Sequence, residues 1–247
     1  MPRTRNTFDP KSKEPFTLSR SKLELFHQCP RCFYIDRRLG IGHVSGPAFT
    51  LNSATDTLLK KEFDLHRKAG TSHPLMQKYK IDAIPFRHPD IDMWRENFKG
   101  VQYLHKSTNL LITGALDDVW VDPMGTLMVV DYKSTSTTKE ISLEDEWKQT
   151  YKRQLEIYQW LMRRNGFTVS DTGHFVYVNA DTGRECFDGK LEFDMQIISY
   201  TGRDDWVEKT INNAHDCLMD DQIPDPVEEC EWCQYNKAMA AINCSGK

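Results

Sequence analysis

A bilayer-spanning helix needs roughly eighteen or more consecutive apolar residues, and no run in this chain approaches that length. An excess of positive charge is also lacking. The 32 Lys and Arg are outnumbered by 36 Asp and Glu, a formal net charge of −4. Attraction to a polyanion therefore cannot come from the surface as a whole and has to use local basic patches. Internal repeats and low-complexity tracts are missing, which sets repeat architectures aside. No secretory signal precedes the seven cysteines, so reduced thiols in a cytoplasmic protein are expected rather than disulfides. What is present is a chain of 247 residues, 39% hydrophobic and 28% charged. That describes a globular protein forming one large domain, or a core with an insertion.

The most informative segment runs Gly114-Ala115-Leu116-Asp117, then a strand, a Pro/Gly turn at 122–125, and Leu127-Met128-Val129-Val130-Asp131-Tyr132-Lys133. Two runs rich in Val, Leu and Trp around such a turn predict a β-hairpin. Side chains alternate along a strand, so Leu127, Val129, Asp131 and Lys133 share a face. A three-residue turn at Pro123–Gly125 sets Asp117 opposite Asp131 on that face. Burying charges is costly unless they are paired or bind a metal. Two carboxylates and an ammonium at the end of an apolar hairpin therefore suit a hard cation such as Mg²⁺ or Mn²⁺ and hydrolysis of a phosphodiester. Lys133 would then stabilise developing negative charge or orient the attacking water. The plainer alternative is a strand-end salt bridge.

The helix that follows carries Tyr151, Gln154 and Tyr158 at helical spacing on one face. A Gln-x-x-x-Tyr pair can hydrogen-bond a carboxylate or a phosphate while the ring packs inward. Gly-x-x-Asp, then Asp-Tyr-Lys, then Gln-x-x-x-Tyr, in this order, resembles the PD-(D/E)XK nuclease superfamily. The resemblance is to its RecB-like branch, including CRISPR-associated RecB-like exonucleases. The opening Leu18–Tyr34, a helix with Ser19 or Ser21 as N-cap running into a Cys-Pro turn, is similar to the start of those nucleases. The likeness spans residues 18–235. It implies catalytic residues Asp117, Asp131, Lys133, Gln154 and Tyr158, and metal ligands Asp117, Asp131 and Tyr132. Asp56 stands where these enzymes often carry a histidine that reaches the metal, and is expected as an added ligand.

Cys29-x-x-Cys32 and Cys230-x-x-Cys233 form a split pair of CxxC elements, which can present four thiolates to Zn²⁺ or to an iron–sulfur cluster. The resemblance points to a cluster, since several RecB-like nucleases tie their two ends together that way, with one N-terminal and three C-terminal cysteines. Cys244 lies further out than that pattern has it, so Cys29, Cys32, Cys230 and Cys233 are the expected ligands and the metal stays open. Reduced structural cysteines are the plainer reading. Cys186 and Cys217 read as scattered residues.

The expected architecture is α/β (α+β): a restriction-endonuclease-like core with a mixed central sheet flanked by helices, and a C-terminal Cys knuckle docking on the N-terminal helix. A polar tail covers 1–15 and one domain covers 16–247, with an irregular insertion at 70–100 and a Cys-bearing segment at 224–247. Helices are expected at 19–39, 52–68, 92–98, 147–164 and 204–219, and strands at 173–179 and 190–200. His73 and His88 in the insertion read as surface residues. Arg37-Arg38, Lys60-Lys61, Lys152-Arg153 and Arg163-Arg164 are the candidate basic patches, Lys152-Arg153 being best placed. The function expected is metal-dependent cleavage of single-stranded DNA or duplex ends in repair, recombination or defence, with a helicase or integrase partner by family analogy. The alternatives are a nuclease fold kept for DNA binding alone and a metal-stapled interaction module.

Overall fold

The computed structural model describes residues 6–44, 46–47 and 49–244. Residues 1–5 of the expected tail and the side chain of Cys244 lie outside the described residues. In chain order the elements are β1 (Phe16–Ser19), α1 (Arg20–Gln28), α2 (Pro30–Arg37), α3 (Thr50–Ala69), α4 (Pro74–Lys78), β2 (Ile84–Pro85), α5 (Ile91–Arg95), β3 (Val101–His105) and β4 (Leu110–Gly114). These are followed by β5 (Asp118–Val121), β6 (Leu127–Thr135), α6 (Gln149–Arg164), β7 (Thr172–Ala180), β8 (Phe193–Thr201), α7 (Asp205–Met219) and α8 (Glu231–Cys244). They divide between two compact units, one of residues 1–46, 104–112 and 205–247, the other of 47–103 and 113–204.

The second unit contains a five-stranded sheet in the order β2-β5-β6-β7-β8. Strands β6 and β7 run parallel, joined through α6, and the other pairs are antiparallel. Strand β6 is buried on both faces. Val130 and Tyr132 join Leu59 and Phe63 of α3, Met76 of α4, Trp120 and Val176 in one core cluster. The alternate residues of β6, Val129 and Asp131, are also fully buried, on the face that α6 covers. This is the mixed sheet flanked by helices expected of a restriction-endonuclease-like core. The α6 contact is close: a Cβ on Gly114 would fall 2.7 Å from the Tyr158 ring, so only glycine fits there. The irregular insertion is more ordered than its Pro-rich sequence suggests. It contributes α4, the edge strand β2 and α5, the last being shorter than the expected 92–98 helix.

In the first unit, α7 packs on α1 and α2 through fully buried Val207, Ile211, Ala214 and Leu218. The single helix expected over 19–39 is two. Cys29 is extended (φ −157°, ψ 103°) and Pro30 begins α2, because a residue before proline is driven out of the α region. Ser19 takes the N-cap position of α1 without a side-chain cap bond. Residues 6–15, read as tail, include a buried Phe8 set edge-on against Phe16 at 5.3 Å. Strand β1 and hairpin β3–β4 were not expected. The β3–β4 hairpin closes through residues 106–109, with Asn109 at φ 55°, a turn without the Pro and Gly that marked the β5–β6 hairpin.

Candidate active site and cysteine centre

The register of β5 on β6 pairs Asp118 with Val130 and Val121 with Leu127, so Asp117, one residue before β5, faces Asp131 as the hairpin arithmetic requires. Asp117 Oδ2 accepts the main-chain N–H of Tyr132 at 2.9 Å, which holds this carboxylate against β6 beside Asp131. Lys133 Nζ forms an ion pair with Asp131 Oδ2. Burial alone would depress the Lys133 pKa, but the Asp131 and Asp117 carboxylates together hold it above its ordinary value. The ammonium therefore stays charged, and it lies 4.4 Å from the centre of the Tyr151 ring. From α6, the Gln154 amide donates to Asp131 Oδ1 at 2.8 Å and to the Tyr158 hydroxyl at 3.1 Å. Five residues singled out in the sequence thus meet in one place.

Asp56 is brought to the same site from α3. Its Oδ2 accepts from Lys60 Nζ at 2.9 Å, and the same ammonium reaches Asp117 Oδ1 at 3.4 Å. Burial, and then the neighbouring Asp117 charge, raises the Asp56 pKa. A cleft of about 140 Å³ opens here, lined by Asn52, Thr55, Asp56, Lys133, Ser134 and Tyr151 among others. Three carboxylates with no thiolate or imidazole among them are hard oxygen donors of the kind that Mg²⁺ and Mn²⁺ take. Their charge is partly offset by Lys60 and Lys133. The Tyr132 side chain turns to the opposite face of β6, where its hydroxyl donates to Asp118 Oδ2 at 2.8 Å, so this expected ligand meets the site through its main chain, whose N–H binds Asp117.

Asp118 heads a set of residues that sequence reasoning missed. It is fully buried and ion-paired with Arg67 and with Arg95 at 3.0 Å. Both arginines also engage Asp64, Arg67 at 3.0 Å and Arg95 at 2.9 Å. Arg95 Nε donates to the main-chain carbonyl of Asp117 at 3.1 Å, so the network fixes the backbone that carries the site's own aspartate. The available signal was the Asp117-Asp118 pair: on a strand one of the two has to face the core, where it needs a cation.

The other candidates lie elsewhere. His73 bonds Glu62 at 2.8 Å and His88 stacks on Trp94 at 4.3 Å. Arg37 pairs with Asp36, Arg38 with Asp221, and Arg163 with Asp171 and Asp204, which makes them structural ion pairs. Lys152 sits over the Tyr200 ring at 5.6 Å.

In the first unit, the Cys29, Cys32, Cys230 and Cys233 sulfurs all lie within 4.8 Å of one another, the one such grouping of three or more His, Cys, Asp or Glu ligand atoms among the described residues. The extended Cys29 turns the α1–α2 junction toward the start of α8. Burial opposes ionisation of the Cys29 thiol, but the neighbouring Cys32 and Val227 main chain and the adjacent Cys230 and Cys32 thiols bring its pKa below the ordinary value. Cys186 and Cys217 stand apart.

Compared with known proteins, the model of the PD-(D/E)XK nuclease superfamily matches residues 53–238. No curated protein matches the chain. A solved structure titled "Crystal structure of SSO0001" is similar at 19% identity, over 86% of this chain and 80% of that one, with a TM-score of 0.41.

Proposed function

The chain belongs to the PD-(D/E)XK nuclease superfamily, and from that premise we propose that it is a metal-dependent deoxyribonuclease of RecB-like type, acting on single-stranded DNA or duplex ends. The observation that carries this reading is the meeting of Asp117, Asp131 and the charged Lys133 with Gln154 bonded to Asp131. A strand-end salt bridge has no need of Gln154 on its second oxygen, nor of a third carboxylate at Asp56.

Asp117 and Asp131, with Asp56 as a further donor, would hold Mg²⁺ or Mn²⁺, which when bound polarises the phosphoryl group and lowers the pKa of water. The remaining chemistry belongs to the chain itself. Gln154 orients Asp131 by occupying one of its oxygens, and Tyr158 fixes Gln154 in turn. Lys133, kept protonated by its carboxylate neighbours, supplies positive charge where the phosphoryl oxygens gather negative charge in the five-coordinate transition state. It acts as an electrostatic stabiliser, and not as a base. The four-cysteine centre would hold a metal ion or cluster with a structural part.

A second reading, DNA binding without cleavage, has one observation in its favour: Lys60 Nζ stands between Asp56 and Asp117, a position that competes with a cation. Purified protein incubated with linear and circular, single- and double-stranded DNA, and with RNA, separates the two. Cleavage dependent on Mg²⁺ or Mn²⁺ and abolished in Asp131→Ala and Lys133→Ala is expected. Binding without cleavage under either metal supports the second reading, and cleavage that survives both substitutions removes the site assignment.

A further inference from the structure

The resemblance to RecB-like nucleases implies an iron–sulfur cluster at the four cysteines, and the geometry of this centre does not fit one. Cys29 and Cys233 sulfurs are 3.7 Å apart, Cys32 and Cys230 are 3.6 Å apart, and Cys32 and Cys233 are 3.7 Å apart. A tetrahedral ion with metal–sulfur bonds of about 2.3 Å sets its ligand sulfurs about 3.8 Å from one another. A four-iron cluster takes one thiolate on each iron and spreads those sulfurs to about 6 Å or more. The centre has all four within 4.8 Å.

A two-iron cluster fails on a different count. It takes the cysteines as two pairs, close within a pair and well separated between pairs. Here Cys32 is equally near Cys230 and Cys233, and Cys233 is equally near Cys29 and Cys32. However the four are divided, at least one short separation crosses between the pairs. Disulfides are excluded at these distances, since a sulfur–sulfur bond is about 2 Å.

The helix attached to this centre gives a second, independent observation. Apart from the half-buried Cys233, the side chains of α8 described from Glu231 to Asn243 are exposed, Tyr235 and Trp232 included, although the Trp232 ring stacks on His43 at 4.2 Å. Helices in globular proteins are held mainly by a buried apolar face, and α8 has none. Its start is tied to the N-terminal helices through Cys230 and Cys233, against Cys29 at the end of α1 and Cys32 in α2. A bound ion would supply the fastening that packing does not.

We infer that Cys29, Cys32, Cys230 and Cys233 bind one tetrahedrally coordinated ion, Zn²⁺ by its preference for four thiolates in a closed site, and that this ion fastens α8 in place of a hydrophobic core. The inference is independent of the nuclease reading. It is tested on the full-length protein purified without oxygen, so that an oxygen-sensitive cluster survives.

Metal analysis is expected to give about one zinc per chain, no acid-labile sulfide and colourless protein. Exchange with Co²⁺ should produce the intense visible ligand-field bands of a tetrahedral tetrathiolate. Stripping the ion with a mercurial and a chelator should expose residues 224–244 to limited proteolysis while α7 stays protected, and re-adding Zn²⁺ should restore protection. Iron with stoichiometric sulfide and brown protein would overturn the assignment. So would a chain that retains no metal and gives only a weak octahedral Co²⁺ spectrum. Proteolysis of 224–244 that ignores metal removal overturns the fastening role. Cys230→Ser, at the half-buried edge of the site, should lose the Co²⁺ bands. If that variant does not fold, the native protein's Co²⁺ spectrum still decides the matter. None of these readouts uses DNA cleavage, so failure here and failure of the nuclease reading are told apart.

Discussion

Arg95 donates from Nε to the main-chain carbonyl of Asp117 at 3.1 Å, while its terminal nitrogens bind the Asp118 and Asp64 carboxylates. One guanidinium thus connects the backbone of a site residue to a buried ion network. Burial would lower the Arg95 pKa, but Asp118 and Asp64 raise it above its ordinary value, so the charge persists.

Arg95→Ala leaves the fully buried Asp118 with Arg67 as its remaining cation and releases the Asp117 carbonyl. Removing one partner of a buried ion pair costs on the order of 3 kcal/mol, to be read by urea denaturation. Catalysis should fall as well, about tenfold or more in kcat with little change in KM, because a displaced Asp117 misplaces the reacting centre without removing substrate contacts. Arg95→Lys keeps the charge and loses the fork, and should recover stability more than rate. A variant that loses stability while its kcat holds would show that the network has no positioning part.

Lys60 bridges Asp56 and Asp117 where a divalent cation would draw on the same carboxylates. Lys60→Ala should therefore lower the Mg²⁺ or Mn²⁺ concentration giving half-maximal cleavage by roughly fivefold, equivalent to about 1 kcal/mol for a partly solvated charge. A metal titration of cleavage rate measures this. A raised metal requirement would mean that Lys60 contributes to substrate binding and not to competition at the carboxylates.

The parts of the site that were legible in sequence share one property: their geometry is local. The Pro123–Gly125 turn sets the register that brings Asp117 opposite Asp131, and helical spacing alone puts Gln154 and Tyr158 on one face. The Asp118 network was not legible, because Arg67 and Arg95 are remote from Asp118 along the chain. Each reads singly as a solvated charge on a helix, and only the fold reveals that they share a buried partner. The Tyr132 side chain follows the same local rule, while its main chain stays at the site. Strand alternation, which correctly grouped Asp131 with Lys133, places the residue between them on the far face. The break at Cys29-Pro30 was readable from the proline, and it is what separates α1 from α2 and aims Cys29 at the centre.

Gln154 holds Asp131 through one oxygen and Lys133 holds it through the other. Lys133→Ala and Asp131→Ala should each reduce cleavage by about a hundredfold or more, as loss of a charge-stabilising group does. Gln154→Leu leaves both catalytic charges and frees only the carboxylate's orientation, so a smaller drop of about tenfold is expected. Combining Gln154→Leu with Asp131→Ala should add nothing further, since Gln154 acts through Asp131. An additive double mutant, measured by single-turnover cleavage, would assign Gln154 a role of its own toward substrate.

His174 gives a stability prediction unconnected with catalysis. It is buried in the sheet, stacked on Trp120 at 5.3 Å and bonded to the Ser199 hydroxyl at 3.1 Å, and burial lowers its pKa to about 4. In the unfolded chain the imidazole titrates near 6.5. Between those values the unfolded state binds the proton and the folded state does not, so stability rises with pH across the window and is lost as pH falls from about 6.5 toward 4, by on the order of 1 kcal/mol per pH unit. Asp36 and Asp64, whose ion pairs lower their pKa values against the opposing effect of burial, lose their contributions only below the ordinary carboxylate range, so the upper part of the window belongs to His174 and, with a smaller shift of the same sign, to His43, whose pKa burial also lowers. Urea unfolding at pH 7 and pH 5 should show the loss in the native protein and a clearly smaller one in His174→Gln, which keeps a hydrogen-bonding side chain but cannot be protonated. Equal slopes in the two proteins would mean that His174 accepts its proton without unfolding.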